Sequence, residues 1–224
     1  MRQPVVDYRK FRLSRIREPQ YSHMLLLLGW VFYFCAYFVT ENLIPESSCH
    51  VIHSVVDDWI PFSEYFAVFY VYWYVLLVIS LAYFFFYDIQ SFRRLQTYII
   101  VTQVVAMTIY VIYPSIQLLR PETFPRDNFL SHVMAFIYSF DTPTGVFPSL
   151  HVAYSGGIAS AWCRRKETRP FWKGFVIVSA VLISISTAFV KQHSFLDIIA
   201  AIPLCLLAEL FVRWTERRKS RRAA

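Results

Sequence analysis

Long stretches without a single Asp, Glu, Lys or Arg constrain this chain more than any other feature. Five of them, at 19–40, 65–87, 95–119, 142–163 and 174–190, are each 17 residues or longer. The hydrocarbon core of a bilayer needs roughly 20 apolar residues per crossing helix. A sixth stretch, 194–214, carries Asp197, Glu209 and Arg213, but Asp197 and Arg213 fall near its two ends and leave an apolar middle. The expected fold is all-α, an integral membrane bundle of six transmembrane helices. Apolar residues make up 57% of the chain and charged ones 17%, against about 45–50% and about 25% in soluble domains. That balance excludes a disordered chain and argues against a water-soluble globule.

The basic residues test this map. Of 22 Lys and Arg, 19 fall before the first span, after the second, after the fourth or beyond the sixth; Arg120, Arg126 and Lys191 alone fall on the other side. Cytoplasmic loops are enriched in Lys and Arg, so both termini are expected in the cytoplasm. The expected organisation is a basic cytoplasmic segment at 1–23, a membrane domain at 24–214 and a basic cytoplasmic tail at 215–224. No small-residue cleavage site follows the first apolar run, so that span is expected to be retained. The net charge of +7 then points to anionic lipid headgroups rather than nucleic acid. The four cysteines show neither metal-ligand spacing nor a disulfide framework.

Polar residues that can do chemistry gather at the outer boundaries. His151 stands at a helix start in Phe147-Pro148-Ser149-Leu150-His151-Val152-Ala153, and His193 and Asp197 flank the start of the sixth helix. A separation of four puts His193 and Asp197 on one helix face, and an ionisable group within a span is functional by default. Arg120, Arg126 and Lys191 belong to the same outer level. Two histidines, a carboxylate and a few cations suit phosphoryl transfer: one imidazole attacks phosphorus, the carboxylate orients it, the second imidazole protonates the departing oxygen, and the cations hold the phosphate oxygens. Two other classes are open. His151, His193 and Asp197 form an acceptable zinc set, and a transporter would use intramembrane charges to line a pathway.

The remaining outer elements read as surface pieces. Residues 128–140 are uncharged but too short to span, and suit an interfacial or re-entrant helix. Residues 52–62 read as an amphipathic piece whose His53 and Asp57 repeat the His-x-x-x-Asp spacing on a polar face. Arg126 and Asp127 read as an exposed loop pair, and Gly156-Gly157 as a point of close helix approach.

FPSLHVA followed by STAFVKQHSFLD resembles the second and third signatures of the type-2 phosphatidic acid phosphatase superfamily, whose pattern runs K-x-x-x-x-x-x-R-P, P-S-G-H, S-R-x-x-x-x-x-H-x-x-x-D. Arg120-Pro121 answers to the end of the first signature, and the likeness covers about residues 113 to 197. Tyr113 stands where the family has lysine, Thr187 where it has arginine and Leu150 where it has glycine. These departures resemble the branch with inositol phosphorylceramide synthases. The resemblance implies a six-helix lipid phosphatase or phosphotransferase that needs no metal or other cofactor. It implies His193 as nucleophile, Asp197 as its orienting partner and His151 as acid and base. Arg120, Ser149 and the backbone N–H groups at Leu150 would bind phosphate, with Lys191 as a candidate replacement for the lost charge. A lipid phosphate or diphosphate is the implied substrate, and a bacterial plasma membrane with the site facing outside is the expected setting.

Overall fold

The computed structural model describes residues 3–223; Met1, Arg2 and Ala224, at the tips of the two basic segments, lie outside the described residues. The described chain is all-α. Its helices are α1 (Leu28–Leu43), α2 (Val55–Trp59), α3 (Ala67–Tyr87), α4 (Ile89–Ile112), α5 (Phe129–Phe140), α6 (Leu150–Arg164), α7 (Pro170–Phe189) and α8 (Phe195–Ala223). A 3-10 helix, Ser22–Leu27, runs into α1, and two strands of two residues, β1 (His50–Val51) and β2 (Ser115–Ile116), pair in parallel.

Five stretches are long and apolar enough to cross a membrane: Ser22–Leu43, Glu64–Tyr87, Ile89–Ile112, Pro170–Phe189 and Phe195–Arg221. The expected fourth span is shorter than its charge-free run. Residues 142–149 carry Pro143, Gly145 and Pro148 and are not helical. Gly145 has a φ of 59°, a left-handed conformation that glycine adopts without steric penalty. Its N–H donates to the Ser115 carbonyl at 2.8 Å. Helix α6 therefore starts at Leu150 and has 15 residues, roughly 22 Å of rise. The third span starts earlier than its run, at Ile89, because Asp88 caps it by accepting from the Ser91 N–H at 3.0 Å. Helix α8 continues past 214 to Ala223.

Helix α4 packs on α1, α3, α6 and α8, and α6 packs on α3, α4, α7 and α8. The short helix is thus enclosed on all sides, with Ala153, Tyr154, Ile158 and Ala161 buried. Gly157 makes that possible: a Cβ there would meet the Tyr98 ring at 2.5 Å. Large apolar side chains such as Phe32, Phe38, Val78, Ile112 and Leu210 face outward, a surface suited to lipid rather than water.

The two ends of the bundle differ. At one end the Val5 N–H donates to the Phe86 carbonyl, Arg94 pairs with Glu216 at 2.7 Å and Arg165 with Asp88 at 2.9 Å. These contacts gather the N-terminal segment, the α3–α4 turn, the α6–α7 loop and the end of α8. The opposite end gathers β1, β2, α2, α5 and the α7–α8 turn, and here lie Arg120, Arg126 and Lys191.

Candidate active site

The α7–α8 turn sets the geometry. The Lys191 N–H donates to the Ala188 carbonyl at 3.1 Å, and the Gln192 N–H to the Thr187 carbonyl at 3.0 Å. This crossed pair is the Schellman closure of a helix, with Lys191 in the position usually taken by glycine. Lys191 accordingly has a φ of 52°. The His193 N–H also reaches the Thr187 carbonyl, at 3.1 Å, so the imidazole leaves the chain from a fixed point one residue before α8 is capped. Thr187, at the family's arginine position, serves this turn through its carbonyl and keeps its side chain buried.

His193, Asp197 and His151 come together. His193 Nδ1 lies 3.2 Å from Asp197 Oδ2, and His193 Nε2 lies 3.3 Å from His151 Nδ1. The Ser194 N–H donates to the same Asp197 oxygen at 2.8 Å. Helix α6 is tied to α8 at this point, since the Ser149 N–H donates to the Asp197 carbonyl at 3.1 Å. Three aromatic residues of α3 pack around His151; the Trp73 and Tyr70 rings lie 4.3 and 4.8 Å from it. Asp197 Oδ1, His151 Nε2 and Arg120 Nε have no hydrogen-bond partner among the described residues.

Arg120 reaches the edge of this group. It donates to Gln192 Oε1 at 2.6 Å and to the Thr142 carbonyl at 3.2 Å, and its guanidinium lies 4.5 Å from the centre of the Tyr138 ring. Gln192 in turn donates to Asp141 Oδ2 at 3.1 Å. Burial pushes the Asp141 carboxyl above its ordinary pKa, although Arg120 and His193 pull the other way. A cavity of about 560 Å³ opens beside the pair of histidines; α1 contributes Tyr33 and Tyr37 to it, α3 contributes Trp73 and Tyr74, and Asp141 stands at its polar end.

The other residues singled out in the sequence divide. Leu150 lines the cavity. Ser149 is fully buried and its hydroxyl accepts from the Val152 N–H at 3.4 Å, so it caps α6. Lys191 turns away: its ammonium donates to the carbonyls of Asp57 and Ile60. Burial lowers its pKa, opposed by Asp57 and Asp58. Tyr113, at the family's lysine position, stacks on His50 at 4.2 Å. Among the described residues no group of three or more His, Cys, Asp or Glu is arranged to hold a metal ion.

Asp57 corrects the reading of 52–62 as a polar surface face. It is 2% exposed and accepts from the Ser194 hydroxyl at 2.6 Å and the Phe195 N–H at 2.7 Å. It also closes a capping box with Ser54 on α2. Burial alone would raise its pKa, but the hydrogen bonds from Ser194, Phe195 and Ser54 outweigh it and hold the carboxyl below the usual value. Asp57 thus pins the first turn of α8, next to His193. The exposed partner of His53 is Asp58, at 2.8 Å. The Arg126–Asp127 pair is likewise replaced. Arg126 meets the fully buried Glu64 at 2.9 Å, and Asp127 meets His132 at 2.9 Å. The signal available in the sequence was Ser54 three residues before Asp57, a capping-box spacing.

No family model matches this chain, and no curated protein or solved structure proves similar to it.

Proposed function

We propose that this protein is a six-span membrane enzyme, with α6 as the short fourth span and both termini cytoplasmic. It would act on a lipid phosphate or diphosphate at the outer face, as a phosphatase or phosphotransferase of the type-2 phosphatidic acid phosphatase kind. The observation that carries this reading is the row Asp197–His193–His151 at the mouth of a cavity lined by aromatic side chains of α1 and α3. With its Nδ1 hydrogen shared with Asp197, His193 keeps the Nε2 lone pair for attack. Phosphorus is taken between the two imidazoles, which must part by several ångströms to admit it. The Nε2–phosphorus bond forms as the ester P–O bond breaks, and His151 gives its proton to the departing alkoxide. Water or an alcohol then attacks the phosphohistidine, His151 takes the proton, and the N–P bond breaks. Arg120, which donates to the cavity residues Gln192 and Thr142, would hold a phosphate oxygen.

Transfer to an alcohol, as in inositol phosphorylceramide synthases, is the second reading. It is favoured by the polar lining: Asp141, Gln192 and Thr142 stand beside the histidines, and carboxylate and amide groups of that kind can take hydroxyl hydrogens from an acceptor.

The test is phosphate release from a panel of lipid phosphates and diphosphates by purified protein in detergent with EDTA, and headgroup exchange with candidate alcohols. His193→Ala and His151→Ala are expected to lower either activity by on the order of 10³-fold or more without changing thermal stability much. Activity that survives both substitutions would sink the proposal.

A further inference from the structure

A second cavity, which shares no lining residue with the one beside the histidines, lies between α3 and α7 and reaches the basic end of the bundle. It measures about 610 Å³. One part is an apolar trough, walled by Leu76 and Ile79 of α3 and by Trp172 and Phe175 of α7, the last three exposed on the outer surface of the bundle. The other part is polar and is made by Arg165, Thr168 and Arg169 from the α6–α7 loop, with the exposed Glu167 at its rim.

Three observations at the polar part point to one chemistry. Thr168 is 6% exposed, yet its hydroxyl has no partner among the described residues. The guanidinium of Arg165 is held by Nε, which donates to Asp88 at 2.9 Å, and no hydrogen bond occupies either Nη among the described residues. Helix α7 starts here with Pro170 in its first turn and has no side-chain cap at Arg169; the Trp172 and Lys173 N–H groups donate to the Arg169 carbonyl at 3.0 and 3.2 Å, which leaves the Phe171 N–H and the positive end of the helix dipole for an anion. Arg169 itself is exposed and forms no ion pair among the described residues. A buried hydroxyl without a partner, free guanidinium nitrogens and an uncapped helix start together fit a phosphate group. The trough that runs on from them fits an acyl chain.

We infer that this cleft is a binding site for an anionic glycerophospholipid, with the headgroup phosphate at Arg165, Thr168 and Arg169 and one acyl chain against Leu76, Ile79 and Phe175. Basic pockets between helices at the cytoplasmic side of a membrane are used in this way. The site is separate from the histidine pair and does not depend on what reaction occurs there. Its occupant would bridge α3 and α7, the two helices that carry Trp73 and the turn before His193.

The test is native mass spectrometry of the delipidated full chain in detergent, titrated with phosphatidylglycerol, with phosphatidylcholine or with inorganic phosphate. Wild-type protein is expected to retain one phosphatidylglycerol in preference to phosphatidylcholine. Arg169→Ala, which removes no side-chain hydrogen bond or ion pair among the described residues, is expected to weaken that binding about tenfold, the usual worth of a charge-assisted hydrogen bond. Ile79→Trp, which fills the trough from an exposed position, should weaken it without touching the charges. Lys219→Ala, far along α8, should leave it unchanged. Equal retention of both lipids, equal loss in Lys219→Ala, or displacement of the lipid by phosphate alone would overturn the inference.

Discussion

At the basic end of the bundle, Arg94, Arg164, Arg165 and Arg213 each meet a carboxylate directly, at 2.5–3.2 Å, and Arg164 bridges Glu209 to Glu216. At the opposite end, Asp57, Asp141 and Asp197 have no Lys or Arg in ion-pair contact among the described residues; hydrogen bonds from Ser194, Gln192 and His193 hold them instead. Arg126 with Glu64 is the exception there. Charges at the first end neutralise one another and tie helix ends together. Carboxylates at the second end orient neighbouring groups and leave those groups' protons exchangeable. The difference teaches where chemistry can occur: a carboxylate locked to arginine has little influence left for an imidazole, whereas Asp197 acts on His193 directly.

The largest effect that would break this contrast is at Asp57. Asp57→Ala strands the Ser194 hydroxyl and the N–H groups of Phe195 and Ser54, each of which donates to it at 2.6–2.8 Å. With about 1–3 kcal/mol for each buried group left unpaired, the loss should reach about 3 kcal/mol or more, and the His193 turn should loosen with it. Thermal unfolding in detergent and phosphate release should both fall sharply. An unfolding temperature equal to that of wild type would show that Asp57 pins nothing.

Lys191 comes next. Lys191→Met removes the bonds to the Asp57 and Ile60 carbonyls and keeps a side chain in the left-handed region. A loss of about 1–3 kcal/mol is expected, the worth of a hydrogen bond from a charged group. Lys191→Gly removes the same bonds but relieves about 1 kcal/mol of backbone strain, so it should be the milder change. Because the ammonium faces away from the cavity, both variants should keep their activity per folded molecule. A Met variant as stable as wild type but inactive would restore Lys191 to the site.

A pH series sharpens the same comparison. The Asp57 pKa is lowered in the fold, so the unfolded chain binds more protons there. Its stabilisation is complete above the ordinary carboxylate pKa and is lost as pH falls through the lower folded value. The Asp141 pKa is raised, so the fold binds more protons and stability declines as pH rises from the ordinary value through the raised one. Asp141→Asn should therefore flatten that decline and leave the acid-side loss in place. Unfolding curves across the acid range would show it, and an unchanged slope would mean that Asp141 is as well solvated as in the open chain.

Much of this was legible in advance, and the omissions have physical causes. Uninterrupted apolar runs mark the long apolar helices because the bilayer penalises every charge within them, a one-dimensional signal. His151, His193 and Asp197 were legible because helix starts and i,i+4 spacing are local. The shortening of α6 was visible as Pro143, Gly145 and Pro148, but a run counted only for charge conceals it. Asp57 was missed because its partners Ser194 and Phe195 lie 137 and 138 residues away, and no local pattern encodes a contact of that range. The bonds of Lys191 to the Asp57 and Ile60 carbonyls were hidden for a related reason. Its formal charge is plain in the sequence, but the direction of its side chain depends on a left-handed turn that a lysine rarely takes.

The smallest expected effect is at the basic end, and it is the sternest check on the contrast. Arg213 pairs with Glu209 at 2.7 Å, but its side chain is 54% exposed, and Glu209 also meets Arg164 and the Ser160 hydroxyl. Arg213→Gln leaves Glu209 with two partners, so no buried charge is stranded. Exposed pairs at this helix spacing contribute about 0.3–0.5 kcal/mol and are screened by salt. A shift of that size, shrinking further at high salt and without effect on activity, is what neutralising pairs at a redundant end should give. A loss comparable to that of Asp57→Ala would mean that the ladder of arginines is as finely tuned as the histidine end. The two ends would then differ in composition and not in kind.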